Sequence, residues 1–178
     1  MQGMRVDRQA SAEAPPVIAQ AIHWLAPWLL GAQVSTYAQV IDREAAVHRL
    51  DPLLVVALAW RESRFHARAR SRSGRSWGLL QVRVTRTLHA QWWGRERELL
   101  RPAVGIRVGV AILARWRAYH RRVCNPRALR RRGPLASPRH RWHAHYQFGT
   151  RVRYDGPGRR VEATYRALKA RFGTGGMT

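Results

Sequence analysis

Apolar residues along this chain recur mostly at helical spacing. Ile18, Ile22, Leu25 and Leu29 fall three or four apart and predict a helix over 17–31. Ala38, Ile41, Ala45 and His48 share one side of a second helix, over about 36–50. The densest apolar run follows Asp51-Pro52 and predicts a helix over 52–63. Asp can cap the first free N–H groups there, and Pro suits the first turn. Val104, Val108, Ile112 and Trp116 form a stripe four apart in a helix over 102–122. On that helix Gly105 and Gly109 leave a thin side for close backbone approach. Val161, Tyr165, Leu168 and Phe172 predict a last helix over 159–172. A further helical segment is expected from residue 79 or 85 to Trp92-Trp93, ending before Gly94. Residues 64–78, rich in Arg, Ser and Gly, predict a loop with room for a short β-hairpin, and 121–141 predict a basic loop broken at Arg130 to Pro134. No internal repeat is present.

One polar residue interrupts this pattern in an informative way. Leu54, Leu58 and Glu62 recur four apart, so a carboxylate shares a helix face with core leucines. A buried charge without a partner is costly, and the negative end of the helix dipole further disfavours ionisation. Both effects raise a carboxyl pKa, as a general acid requires. The plain alternative is a surface residue paired with Arg61 or Arg64. From Ser63 to Arg95 the chain has no Asp or Glu at all.

Composition narrows the class. A chain of 178 residues suits one domain with a real core, and 46% hydrophobic content with 8 Trp argues against a disordered basic tail. The predicted organisation is a disordered leader over 1–16, one domain over 17–172 and a loose tail over 173–178. Net charge is +23, from 33 Lys+Arg against 10 Asp+Glu, and every basic residue but Lys169 is Arg. Such a balance suits an anionic partner, whether wall polymer, lipid headgroup or nucleic acid. Cys124 is the one cysteine, which precludes an intramolecular disulfide; His120 lies near it, but a catalytic thiol is not the preferred reading. No segment is long and apolar enough to span a membrane. The nearest, 17–32, is interrupted by Gln20, His23 and Pro27 and follows a leader holding Asp7 and Glu13, so a packed helix is expected rather than a signal peptide.

Taken in order, several short motifs resemble the catalytic domain of soluble (SLT) type lytic transglycosylases, relatives of goose-type lysozyme. Asp51-Pro52-Leu53-Leu54 resembles the start of that family's catalytic helix. Glu62-Ser63 with Phe65 resembles its E-S motif. Ser71, Gly74 and Gly78-Leu79-Leu80-Gln81 resemble its S-x-x-G…G-L-M-Q loop, and Tyr146-Gln147-Phe148-Gly149 its Y-N-x-G motif. The likeness covers about residues 36–172. It departs from the pattern by one extra residue between Gly74 and Gly78, which predicts a bulge, by Arg75 in place of Ala, by Leu80 in place of Met, by Gln147 in place of Asn and by Gly105 in place of Asn.

The resemblance implies a predominantly α, α+β lysozyme-like fold: a single helical domain around a glycan-binding groove. It implies peptidoglycan lytic transglycosylase activity on the β-1,4 bond between N-acetylmuramic acid and N-acetylglucosamine, giving a 1,6-anhydromuramoyl product. Glu62 would be the catalytic acid; Ser71 and Tyr146 would hold it or the substrate; Gly78, Leu79, Gln81 and Gln147 would line the groove. No cofactor is implied. Peptidoglycan strands are the expected partner, in the periplasm or cell envelope, with anionic wall polymers and secretion or phage machinery as further candidates. Trp77, Trp92 and Trp93 are candidate sugar platforms, set against the commoner role of Trp in a core. His140, His143 and His145 match no standard zinc spacing, so a basic rim is the simpler reading. Three alternatives stay open: a muramidase of the same fold, an arginine-rich nucleic-acid module using 121–141 flanked by Trp116 and Trp142, and an inactive scaffold.

Overall fold

The computed structural model describes residues 16–124, 142–148 and 156–173. The expected leader, most of the basic loop, His140 and the tail beyond Gly173 lie outside them. Helix α1 (Pro16–Leu25) and helix α2 (Gly31–Val47) cover helix α3 (Pro52–Ser63). A short hairpin of β1 (Ser76–Trp77) and β2 (Val82–Arg83) follows, then two 3-10 turns (Ala90–Trp92 and Glu96–Leu100). Helix α4 (Pro102–Tyr119) runs into a π turn (His120–Cys124), and α5 (Ala144–Phe148) and α6 (Gly156–Phe172) complete the described chain. The protein is predominantly helical, as the apolar spacing predicts.

Helix α3 is the axis of the core. Every residue from Leu53 to Ala59 is buried, and α1, α2 and α6 pack around it. Burying one such Leu is worth about 1.5–3 kcal/mol, so this run supplies much of the driving force. Asp51 fixes the helix start: its Oδ1 accepts from Leu53 N at 2.9 Å. Its Oδ2 accepts from the Tyr165 hydroxyl at 2.8 Å and pairs with Lys169 Nζ at 3.2 Å, which ties the cap to α6.

Three predicted elements differ from the structure. The first helix stops at Leu25 instead of 31: Ala26 N still bonds Ile22 O at 2.8 Å, but Pro27 has no N–H to continue the ladder. The second begins at Gly31 instead of 36, because the Gln33 side chain reaches back to accept from Leu30 N at 3.1 Å. It ends at Val47, where Arg49 turns left-handed (φ 52°) and Arg117 of α4 donates to the carbonyls of His48 and Arg49. The expected helix between 79 and 93 is instead the second hairpin strand and irregular chain. Antiparallel pairs Ser76–Arg83 and Trp77–Val82 flank a turn that Gly78 (φ 75°) and Gln81 (φ 46°) close in the left-handed region. Val82, Val84 and Leu99 turn inward with Trp77 and Ile112 to form a second apolar cluster beside the main helical core.

Tyr146 packs against both clusters, so α5 sits at the seam between helices and hairpin. The thin side of α4 serves the same seam. A Cβ on Gly105 would lie 2.5 Å from Leu99 O, and one on Gly109 would lie 2.5 Å from Leu80 Cδ1 and 3.0 Å from the Tyr146 hydroxyl.

Candidate active site

The backbone after α3 decides where Glu62 points. Arg64 and Phe65 both adopt left-handed conformations (φ 52° and 60°), rare for large side chains. The turn drops Phe65 into the core, 1% exposed and stacked on Tyr37 with ring centroids 6.4 Å apart. Helix α3 thus ends within one residue of Glu62, leaving that side chain at the edge of the core instead of inside it. Ser63 is turned inward, its Oγ donating to Ala59 O at 3.3 Å.

Glu62 opens onto a cavity of about 400 Å³ lined by Ser71, Ser76, Gln81, Arg83, Tyr146 and Gln147. No second carboxylate is among these described lining residues. Burial pushes the Glu62 carboxyl up to about 6, with a hydrogen bond from Gln147 and the Arg61 guanidinium pulling the other way. Gln147 Nε2 donates to Glu62 Oε1 at 2.7 Å, while Gln147 Oε1 is buried with no hydrogen-bond partner among the described residues. At neutral pH the site is therefore a mostly ionised carboxylate whose proton returns readily at mildly acidic pH.

The other expected site residues are gathered here in unequal ways. Ser71 lines the cavity, but its hydroxyl accepts from Ser76 N at 3.0 Å and lies 3.2 Å from Ser73 Oγ, so it closes its own turn and does not bond Glu62. Gln81 lines the cavity too, yet its Nε2 donates to Ala69 O (3.2 Å) and Gly78 O (3.0 Å), stapling the hairpin turn. The Tyr146 hydroxyl donates to Leu80 O at 2.8 Å, where the resemblance implied contact with the acid or the substrate. Burial and the nearby Glu62 charge hold that phenol well above its usual range, so it remains a neutral donor. Gly78 and Leu79 do not line the cavity. Leu79 is 1% exposed in the helical core, and a Cβ on Gly78 would collide with the Leu99 carbonyl, so this glycine serves packing.

Two lining residues, Ser76 and Arg83, are absent from the sequence-based set. They are a cross-strand pair on one face of the hairpin, and the expected helix after residue 79 hid that alternation. Among the candidate platforms Trp77 is 7% exposed and covered by Arg70, whose guanidinium lies 4.0 Å from the ring centroid. Trp92 is half-buried, and only Trp93, 52% exposed, faces an open cavity. His143 and His145 are buried: His143 Nε2 is hydrogen-bonded to Gly158 O at 3.1 Å, and His145 stacks on Trp116.

The sequence around this geometry is similar to one known family. Residues 39–124 match the family model described as the transglycosylase SLT domain. Over these residues the chain is similar to a transglycosylase SLT domain. The matched span holds Glu62, Ser71, Gln81 and all of α4, whereas Tyr146 and Gln147 come from beyond it. Comparisons with curated proteins and with solved structures find no match. None of the described helices is long and apolar enough to cross a membrane.

Proposed function

We propose that this protein is a peptidoglycan lytic transglycosylase cleaving the β-1,4 bond between N-acetylmuramic acid and N-acetylglucosamine. Glu62 in its protonated form gives its proton to the glycosidic oxygen as the bond breaks. The C6 hydroxyl of the muramoyl sugar then closes on C1, and the ionised Glu62 takes the proton that hydroxyl loses. The product carries a 1,6-anhydromuramoyl end, and no water is consumed. One observation carries this reading: a single raised carboxyl, bonded by an amide, is the sole carboxylate among the described residues around its cavity. Glycosidases that use water ordinarily work with two carboxyl groups. The internal hydroxyl nucleophile removes the need for the second.

Gln147 steadies the carboxylate and Tyr146 fixes the loop carrying Leu80, so both act by positioning. Ser71, Ser76, Gln81 and Arg83 form the polar wall against which the glycan lies. Such a substrate places the protein's work outside the cytoplasm, in the periplasm or cell envelope. The test is digestion of purified peptidoglycan with mass analysis of the fragments. Anhydromuramoyl ends, absent with Glu62→Gln, are the expected outcome. Reducing ends alone would make the protein a muramidase. Salt-sensitive nucleic-acid binding without any glycan cleavage would reject both activities.

A further inference from the structure

A second and larger cavity, about 980 Å³, adjoins the first. It is lined by Ser73, Gly74, Arg75, Arg83 to Leu88, Trp93 and Glu96. The two cavities share Arg83 as a common wall, and the Ser71–Ser73 hydroxyl pair bridges their rims. Its volume is at the upper end of the range for sites that enclose small organic ligands. Arg75, Arg83 and Arg86 give it three guanidinium groups against one carboxylate. That carboxylate, Glu96, already accepts from Gly94 N at 3.0 Å. No described carboxylate forms an ion pair with any of the three arginines; the Arg86 guanidinium lies 5.5 Å over the Trp93 ring.

Arginines that line a concave surface without a described ion-pair partner suit a carboxylate or phosphate, because their forked N–H donors match those oxygens. What occupies the site follows from where it lies. The cut sugar of the proposed substrate bears, on its lactyl ether, a peptide stem with free carboxylates. A stem leaving the glycan beside Glu62 has the arginine cavity as its immediate neighbour. We propose that the cavity of Arg75, Arg83, Arg86 and Trp93 receives the carboxylates of the muramoyl peptide stem, making the protein selective for peptide-bearing over denuded glycan. This proposal rests on the glycan-cleaving reading and deepens it. Phosphodiester wall polymers share the same anionic chemistry, and the test separates the two sources.

The experiment measures binding by calorimetry on the full chain carrying Glu62→Gln, which leaves substrate uncut. The probes are N-acetylglucosaminyl-N-acetylmuramoyl tetrapeptide, the same compound with its stem carboxylates amidated, the stem-free disaccharide, and an oligo(glycerol phosphate). The stem-bearing acid should bind about tenfold or more tighter than the amidated and stem-free forms, in line with two charge-assisted contacts. Adding Arg75→Ala and Arg86→Ala should erase that preference and leave the weak binding of the stem-free disaccharide unchanged. Both arginines are exposed, so the fold should survive, which a thermal melt checks. Equal affinity for all three sugars, or a preference that survives the double change, overturns the proposal. Tight binding of the glycerol phosphate oligomer with indifference to the stem carboxylates also overturns it, in favour of a wall polymer. Parallel digestion of intact and amidase-stripped peptidoglycan by the wild type keeps the two claims apart. Cleavage of both at equal rates sinks the stem site alone; carboxylate-dependent binding with no cleavage of either sinks the catalytic reading alone.

Discussion

At the scale of single residues, the proposed chemistry rests on one proton on Glu62 and what sets its affinity. Its pKa of about 6, raised from an ordinary 4.5 by burial, means that the folded state binds this proton more tightly than the unfolded state does. The folded state therefore loses stability as pH rises from about 4.5 through about 6, and above that the cost is constant. A shift of this size corresponds to at most ~2 kcal/mol. Glu62→Gln removes the titration. It should abolish cleavage, raise the melting temperature above pH 6, and lose that advantage below pH 4.5; pH-dependent melts beside the digestion assay check both. Gln147 pulls the other way by donating to the carboxylate. Gln147→Leu should thus raise the Glu62 pKa further and move the alkaline limb of kcat/KM to higher pH. A limb that stays in place would mean that the amide orders the substrate instead of tuning the acid. Glu62 was legible in the sequence because a carboxylate at leucine spacing is physically anomalous. The bonds that Ser71, Gln81 and Tyr146 make were not, because a side chain's partner is set by its neighbours in space. All three satisfy backbone groups of the hairpin or its turn, a demand invisible from residue type.

At the scale of elements, periodicity read the long helices and failed where the chain is short and irregular. Helix α3 appears with the predicted bounds because an Asp-Pro start and a dense apolar run agree. The stretch after Leu79 was misread because its apolar residues serve a two-residue strand and 3-10 turns, which carry no helical period. The glycines of α4 were legible as a thin face, though the face gave no hint of what it meets. It meets the Leu99 carbonyl at Gly105, and Leu80 with the Tyr146 hydroxyl at Gly109. Gly109→Ala is therefore a test of how the elements lock. A methyl there must displace Leu80 or Tyr146, breaking the 2.8 Å bond between them and loosening the seam on which the cavity is built. Overpacking of this kind costs about 1–3 kcal/mol. Activity should fall further than stability does, since the same seam places Gln147 on Glu62. Equal catalytic rates in the variant, measured well below its melting temperature, would show that the hairpin can shift without disturbing the acid.

At the scale of the whole molecule, the chain carries a net charge of +23, while the carboxyl proposed to do the chemistry is largely shielded from solvent. These two features answer differently to salt. Exposed arginines attract an anionic wall through a field that decays over about 10 Å at 0.1 M ionic strength and about 3 Å at 1 M. Capture of the chain by insoluble peptidoglycan should therefore weaken steeply as salt rises, and KM should rise with it. The Glu62 pKa is raised chiefly by burial, a desolvation effect that ions do not screen. Its titration should hold its position as salt rises while KM climbs severalfold. Pelleting assays across a salt series, run beside pH–rate profiles at each concentration, separate the two. An alkaline limb that slides with salt as strongly as KM does would place the Glu62 carboxyl in the solvent-exposed field of the arginines and remove the basis for calling it a protected acid. A KM indifferent to salt would instead mean that the arginine-rich surface takes no part in holding the wall, leaving the small polar cavity to bind the glycan alone.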